Sequence, residues 1–271
     1  MKLNKFAAVL AASSMFASGA AMAEPFYINV DNFDTGLIGS ALFGTDGKTA
    51  NIFELAVDIN ATSTYTDDFG AAGVSVGDSV VDSGFGTITG YLGSDGTSLL
   101  GPEDTEGVGS THGMRFEYDD LTGKVAVIDN SINPIGILAQ YFSGTIDVYG
   151  DTLGVEKLLM KLNVFASAGT VGNAIIYATV SEPDPGTWFF TDGTDWSDVV
   201  VAINMRFDTN VDPVANPVLI GQNELGQDLY VRTSELNGSV AFNRVPEPGV
   251  LALLGIGLIG LGAARRAKKA A

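Results

Sequence analysis

The sequence predicts an all-β fold, an antiparallel β-sandwich of the jelly-roll type, with a short hydrophobic segment at each end of the chain. Three observations predict this class. Apolar and polar residues alternate over most of the central region, turn-forming residues separate the alternating runs, and no central stretch keeps a helical period. In one run Phe53, Leu55, Val57 and Ile59 alternate with largely polar neighbours, which places one face toward a core and the other in water.

Further strands are predicted along the central region, between turns rich in glycine and aspartate. The runs lie at residues 26–30, 85–92, 114–118, 124–128, 139–149, 158–166, 174–180, 199–207 and 229–242. Asn237-Gly238 predicts a hairpin turn within the last run, and residues 93–110 and 208–223 are predicted as exposed loops. About ten short strands predict a sandwich, with a closed barrel as the alternative.

The first 23 residues have the pattern of a secretory signal peptide. Lys2 and Lys5 precede an apolar stretch at residues 6–16, and small residues at Ala21 and Ala23 form a cleavage site for signal peptidase. We therefore expect cleavage after Ala23 and assign residues 1–23 to the signal peptide.

A second hydrophobic stretch stands near the C-terminus and predicts a short transmembrane helix at about residues 249–264. As a helix, its apolar run would reach only ~22 Å, against a hydrocarbon core of ~30 Å. Basic residues follow at once, and the positive-inside rule predicts that they stay cytoplasmic while the central region lies outside. This basic cluster comprises Arg265, Arg266, Lys268 and Lys269.

Pro246, Glu247 and Pro248 stand immediately before that helix. Prolines disfavour helix and strand interiors, so this tripeptide is expected to be extended at the membrane surface. The ordered combination of tripeptide, apolar helix and basic cluster resembles the PEP-CTERM sorting signal. The resemblance covers residues 245–271, called the sorting tail here, and leaves residues 24–244 as the central domain. It implies recognition of the tripeptide by an exosortase-type membrane peptidase, retention by the basic cluster, and removal of the tail. A retained single-pass anchor is the alternative.

The charge of the central region excludes one class of partner. The whole chain has a formal net charge of −18, and 6 of its 14 basic residues lie in the two terminal segments. Residues 24–247 therefore carry 8 basic and 32 acidic side chains, a net charge of −24. Such a surface repels nucleic acid and favours cations. The chain also has no cysteine, which excludes disulfides, thiol nucleophiles and cysteine-ligated metals.

Two places in the central region offer candidate chemistry. His112, the one histidine of the sequence, is interpreted as a solvated residue at a strand entry, since a single histidine cannot build a usual zinc site. The segment from Trp188 to Asp198 admits three readings. It is a calcium loop with oxygen ligands from Asp192, Asp195 and Asp198, a sugar site with exposed tryptophans, or a turn with Trp188 and Trp196 packed inward.

The resemblance implies an exported structural protein of the cell surface or extracellular matrix, linked to exopolysaccharide, biofilm or floc formation. We expect no enzymatic activity and no cofactor, with calcium as the one metal considered. The expected partners are signal peptidase, an exosortase and exopolysaccharide, with membrane contact through the C-terminal helix. The protein would be anchored in the inner membrane before processing, and then reach the surface or the exterior of a bacterium with an outer membrane. The alternative is a carbohydrate-binding module or polysaccharide hydrolase delivered by the same route.

Overall fold

The computed structural model describes residues 23–32, 47–93, 100–101, 104–105, 112–152, 155–200 and 202–245. Over these residues the regular structure is β-strand with two short 3-10 turns, Val30–Asn32 and Trp196–Asp198. All registered strand pairs are antiparallel, which confirms the predicted class. The strands are β1 Phe26–Ile28, β2 Glu54–Thr66, β3 Ser79–Leu92, β4 His112–Asp129, β5 Gly136–Ser143, β6 Thr145–Thr152, β7 Val155–Thr170, β8 Asn173–Ser181, β9 Trp188–Phe190, β10 Ile203–Pro213, β11 Val218–Gln222 and β12 Asp228–Arg244.

One large sheet holds ten of these strands in the order of a meander. The path runs β10-β8-β7-β6-β4-β3-β2-β12-β11, with β5 paired to β4, while β1 and β9 form a separate two-stranded sheet. The predicted jelly-roll connectivity is therefore wrong. Short connections such as residues 171–172 between β7 and β8 make successive strands neighbours, whereas a jelly roll needs long crossovers.

The two ends of the meander meet, because β10 pairs with β12 as well as with β8. The sheet thus closes on itself, the arrangement that the strand pattern left as the alternative. Opposite walls pack face to face, as the two layers of a sandwich do: the rings of Phe116 on β4 and Phe207 on β10 meet edge to face with centroids 6.2 Å apart.

The predicted hairpin turn at Asn237-Gly238 is wrong. Strand β12 runs unbroken through both residues, from Asp228 to Arg244. A Cβ atom on Gly238 would lie 2.0 Å from the carbonyl oxygen of Asp208, on β10. The glycine is therefore needed for the close approach of two strands and does not make a turn.

The two predicted loops are also partly wrong. Residues 208–223 contain the end of β10 and all of β11. In the described part of residues 93–110, Thr105 is buried and Leu100 packs against the core. A polar, glycine-rich composition predicted a loop at residues 93–110, and two prolines predicted one at residues 208–223. The apolar contact of Leu100 orders the first segment locally, and the backbone bonds of β11 to β12 order the second.

The predicted alternation fills the interior of the closed sheet. On β2, every second residue from Leu55 to Tyr65 is buried, and the intervening residues are exposed or half-buried. The main core cluster draws on both sheets, and a smaller cluster at residues 65, 80, 125, 137 and 139 lies beside it. The alternation of period two therefore predicted which side chains form the core.

The chain divides into two units. The larger comprises Met22–Val199 and Ile203–Asn243, and holds the closed sheet. The smaller comprises Met1–Ala21, Val200–Ala202 and Arg244–Ala271, in which the amide of Val245 donates to the carbonyl of Ala202 at 2.9 Å. Across the described ranges, no helix has the length and apolar character needed to cross a membrane, and the helix predicted at about residues 249–264 lies outside them.

Candidate functional site

The segment from Trp188 to Asp198 contributes two tryptophans to the core. Trp188 is fully buried and Trp196 is 2% exposed, and their rings stack with centroids 5.3 Å apart. Phe26, Phe190 and Phe242 pack against Trp196. The reading of this segment as a sugar site is wrong, because neither indole presents a face to solvent. The third reading, a turn with the tryptophans packed inward, is confirmed.

The aspartates of the same segment organise its backbone. The carboxylate of Asp195 accepts from the amides of Ser197 at 2.8 Å and Gly186 at 2.6 Å, so it caps the 3-10 turn and holds the preceding loop. Asp192 accepts from the amide of Thr194 at 2.9 Å. In the part of the chain that the structure describes, no three acidic or histidine side chains are grouped as metal ligands. Calcium at these aspartates remains a prediction.

A groove of ≈ 550 Å³ lies on the outer face of the sheet, across β2, β3, β4 and β6. It is called the outer groove here. Its lining combines carboxylates, an amide, hydroxyls and one aromatic ring that is 49% exposed, that of Phe85. These are the groups that bind hydroxyl-rich ligands. The lining includes Asn60, Thr62, Ser83, Phe85, Glu117 and Asp147.

Arg115 orders one end of the outer groove. Its guanidinium binds Glu156 through two bonds of 2.8 Å and Glu117 through one of 2.6 Å. It also lies over the rings of Tyr149, at 4.5 Å, and Phe85, at 5.7 Å. The hydrogen bonds to Glu156 and Glu117 raise the pKa of Arg115, and the same guanidinium lowers the pKa of Glu156. The cation therefore holds two carboxylates and two aromatic rings in fixed positions.

A second polar site lies inside the closed sheet, around a cavity of ≈ 40 Å³. Asp82 projects into this interior pocket from β3 and is only 7% exposed. The hydroxyl of Tyr141 donates to one carboxylate oxygen of Asp82, and the other oxygen has no partner among the described residues. Burial raises the pKa of Asp82 to about 6, against the opposing effects of the Tyr141 hydrogen bond and the charge of Arg232.

Strand β12, which β2 separates from β3 in the sheet, also lines the interior pocket. Arg232, 5% exposed, donates from Nη1 to the carbonyl of Ile135 at 3.2 Å and lies over the ring of Tyr65 at 5.8 Å. Its Nε and the hydroxyl of Ser234 have no partner within the described residues. Three polar atoms without partners thus surround a cavity large enough for a few water molecules, which would satisfy them.

Sequence reasoning found neither polar site. A signal for the interior pocket existed, because Arg232 and Ser234 are in phase with the buried Val240 and Phe242 on β12. An arginine at an inward position of an alternating strand predicts a buried partner or water. The outer groove had no such signal, because its residues are separated in sequence and look like ordinary solvated faces.

The other predicted site residues lie mostly outside the described residues. This holds for Ala21, for the tripeptide Pro246, Glu247 and Pro248, and for the basic cluster. The described chain begins at Ala23 and ends at Val245, directly before the tripeptide. His112 begins β4, where its backbone pairs with Thr152.

Residues 244–267 match the family model described as the PEP-CTERM protein-sorting motif. The resemblance of the C-terminal segment is thereby confirmed. The motif implies an exported protein that is anchored in the membrane before processing and is sorted by an exosortase. A comparison with curated proteins found no match.

Proposed function

We propose that this chain is a structural protein of the cell surface or extracellular matrix, without enzymatic activity, in a bacterium with an outer membrane. The sorting motif at residues 244–267 carries the proposal. In its mature form the protein would begin at Glu24, after signal peptidase cleavage, and end near Pro246, after exosortase cleavage. The mature protein would then be a small acidic domain delivered beyond the inner membrane.

The charge of this domain supports an association with exopolysaccharide, and so with biofilm or floc formation. A net charge of −24 over residues 24–247 attracts divalent cations, which can bridge carboxylates of the protein to those of an anionic polysaccharide. The interior of the closed sheet supports a structural role, since apolar side chains occupy most of the described core and the interior pocket has a volume of only ≈ 40 Å³.

Cosedimentation tests this proposal. The protein is mixed with exopolysaccharide isolated from its own host and centrifuged, with calcium or with a chelator. We expect the protein in the polysaccharide pellet with calcium and in the supernatant with chelator. A host strain without the gene should form weaker flocs or biofilm, and the intact gene should restore them. Protein that stays in the supernatant under both conditions, with no defect in the deletion strain, would contradict the proposal.

A polysaccharide-binding module is the second candidate, and the outer groove favours it. Phe85 offers an exposed ring, and Asn60 and Asp147 offer amide and carboxylate groups to sugar hydroxyls. Affinity electrophoresis in gels containing polysaccharide would test it. Phe85→Ala should abolish retardation, whereas Phe165→Ala, which removes an equally exposed ring on β7, should not. Release of reducing sugar by the wild-type protein, lost in Asp147→Asn, would favour the hydrolase instead.

A further inference from the structure

Strand β11 is an edge strand with an unusual composition. It pairs with β12 along one side, from Val218 opposite Val231 to Gln222 opposite Asp228. On its other side, no strand of the described chain pairs with it. Its backbone groups on that side are therefore available to another strand.

The side chains of β11 are apolar and exposed. Val218, Leu219 and Ile220 are 61%, 53% and 61% exposed, and the other two residues of the strand are exposed as well. Leu225, in the turn that follows, is 84% exposed. Soluble proteins usually place charged residues on such an edge, and a contiguous exposed apolar stretch marks an interaction site.

The distribution of charge around β11 favours a second copy of this chain as its partner. Residues 213–223 contain no charged side chain, although the chain as a whole has a net charge of −18. A second copy of such an acidic protein is repelled by most of the surface, but not at this neutral strand. Because an edge strand accepts its own antiparallel copy, β11 can pair with itself about a two-fold axis.

Two features limit the pairing to one partner. Pro217 precedes β11 and has no amide hydrogen to donate, and a bulge between Leu219 and Gly221 interrupts the register. Gly221 has a φ of +144°, which a residue with a side chain rarely adopts. Such devices shorten the usable edge, so they favour a closed dimer over an open fibre.

We propose that two copies of this protein associate through antiparallel pairing of their β11 strands. The pairing goes beyond the proposed function, since it does not depend on the role of the domain in a matrix. Added salt screens the repulsion between the two acidic copies, so it should strengthen the dimer. An association that relied on ion pairs would instead become weaker as salt is added.

Analytical ultracentrifugation of the full chain in detergent tests the proposal. We expect a monomer–dimer equilibrium whose dissociation constant falls as salt rises. Leu219→Lys, at an exposed position, should raise the dissociation constant at least about tenfold, since two like charges would meet near the axis. Val127→Lys, at an exposed position of β4, is the matched control and should leave it unchanged.

Cross-linking identifies the strand. The chain has no cysteine, so each of the single variants Val218→Cys, Leu219→Cys and Ile220→Cys carries one thiol, at a known position. A two-fold antiparallel pair brings one position of the strand opposite its own copy, so at least one of the three should form a disulfide dimer on mild oxidation. Val127→Cys should not. A monomer at all concentrations and salts, a dimer unaffected by Leu219→Lys, or equal cross-linking in all four variants would overturn the proposal.

Discussion

The buried carboxyl of Asp82 gives the chain a stability that depends on pH. Replacing it in Asp82→Asn keeps the shape of the side chain and an oxygen that can accept from Tyr141, and removes the ionisation. Asp82 has a pKa of about 6 in the folded protein against 3.8 in its ordinary range. Because the folded pKa is the higher one, the folded state favours the protonated form. The stability that this carboxyl contributes is therefore complete below about pH 3.8 and is lost as the pH rises through about 6.

The size of the effect follows from the same two values. A difference between about 6 and 3.8 corresponds to about 3 kcal/mol of unfolding free energy, most of it lost between about pH 4 and pH 7. Asp82→Asn should be close to the wild type in stability at low pH and more stable than it by up to about 3 kcal/mol above pH 7. Carboxyls with lowered pKa, such as Asp68 and Glu156, act in the opposite direction in both proteins and cancel in the difference.

Urea unfolding at a series of pH values measures this difference. Asp58→Asn is the matched control, because Asp58 lies on the neighbouring strand β2 with its side chain exposed. Its stability difference from the wild type should change little with pH. If the difference between Asp82→Asn and the wild type is the same at low and high pH, or if the variant is less stable above pH 7, the account of the interior pocket is wrong.

Three further predictions concern the core, the closure of the sheet and the predicted calcium loop. Trp188→Phe should lower the free energy of unfolding in urea by about 1 kcal/mol more than Trp196→Phe does. Among the described residues, the indole of Trp188 donates to the carbonyl of Leu159 at 3.3 Å, whereas that of Trp196 has no partner; equal losses would contradict this. Gly238→Ala should destabilise by about 1 to 3 kcal/mol through its clash with β10, whereas Gly113→Ala, whose new atom has its nearest neighbour at 3.7 Å, should change stability by under about 0.5 kcal/mol. Asp195→Ala should lower stability by about 1 kcal/mol in chelator and in calcium alike, because it removes a cap; a larger loss in calcium would indicate that the loop binds the ion.

The alternation of apolar residues predicted the class and the core because burial on one face of a strand leaves a period of two in the sequence. Leu55, Val57 and Ile59 are buried as expected. The alternation does not predict the order of the strands in the sheet, since a strand has the same pattern in a jelly roll and in a meander. Gly238 shows the ambiguity, because a glycine after an asparagine is typical of a turn but also permits close packing of two strands.

The candidate sites also differ in how far the sequence could predict them. The sorting tail is contiguous in sequence, so its three parts could be predicted from their order, and the match of residues 244–267 confirms the resemblance to the sorting motif. The outer groove and the interior pocket draw residues from strands that are distant in sequence. The pairing of β3 with β2 and β4 brings Asp82 and Phe85 to these places, and only the sheet register determines it. The two tryptophans were ambiguous because aromatic residues beside aspartates occur both in binding sites and in core turns.

The proposed function requires that this protein be exported, processed at both ends and released into a surface or matrix location. Intact mass spectrometry of the protein recovered from membranes and from the culture medium tests it most directly. The account predicts a species in the medium that begins at Glu24 and ends near Pro246, without the sorting tail. A chain found only in membranes, with its mass extending to Ala271, would contradict it and indicate a permanently anchored domain.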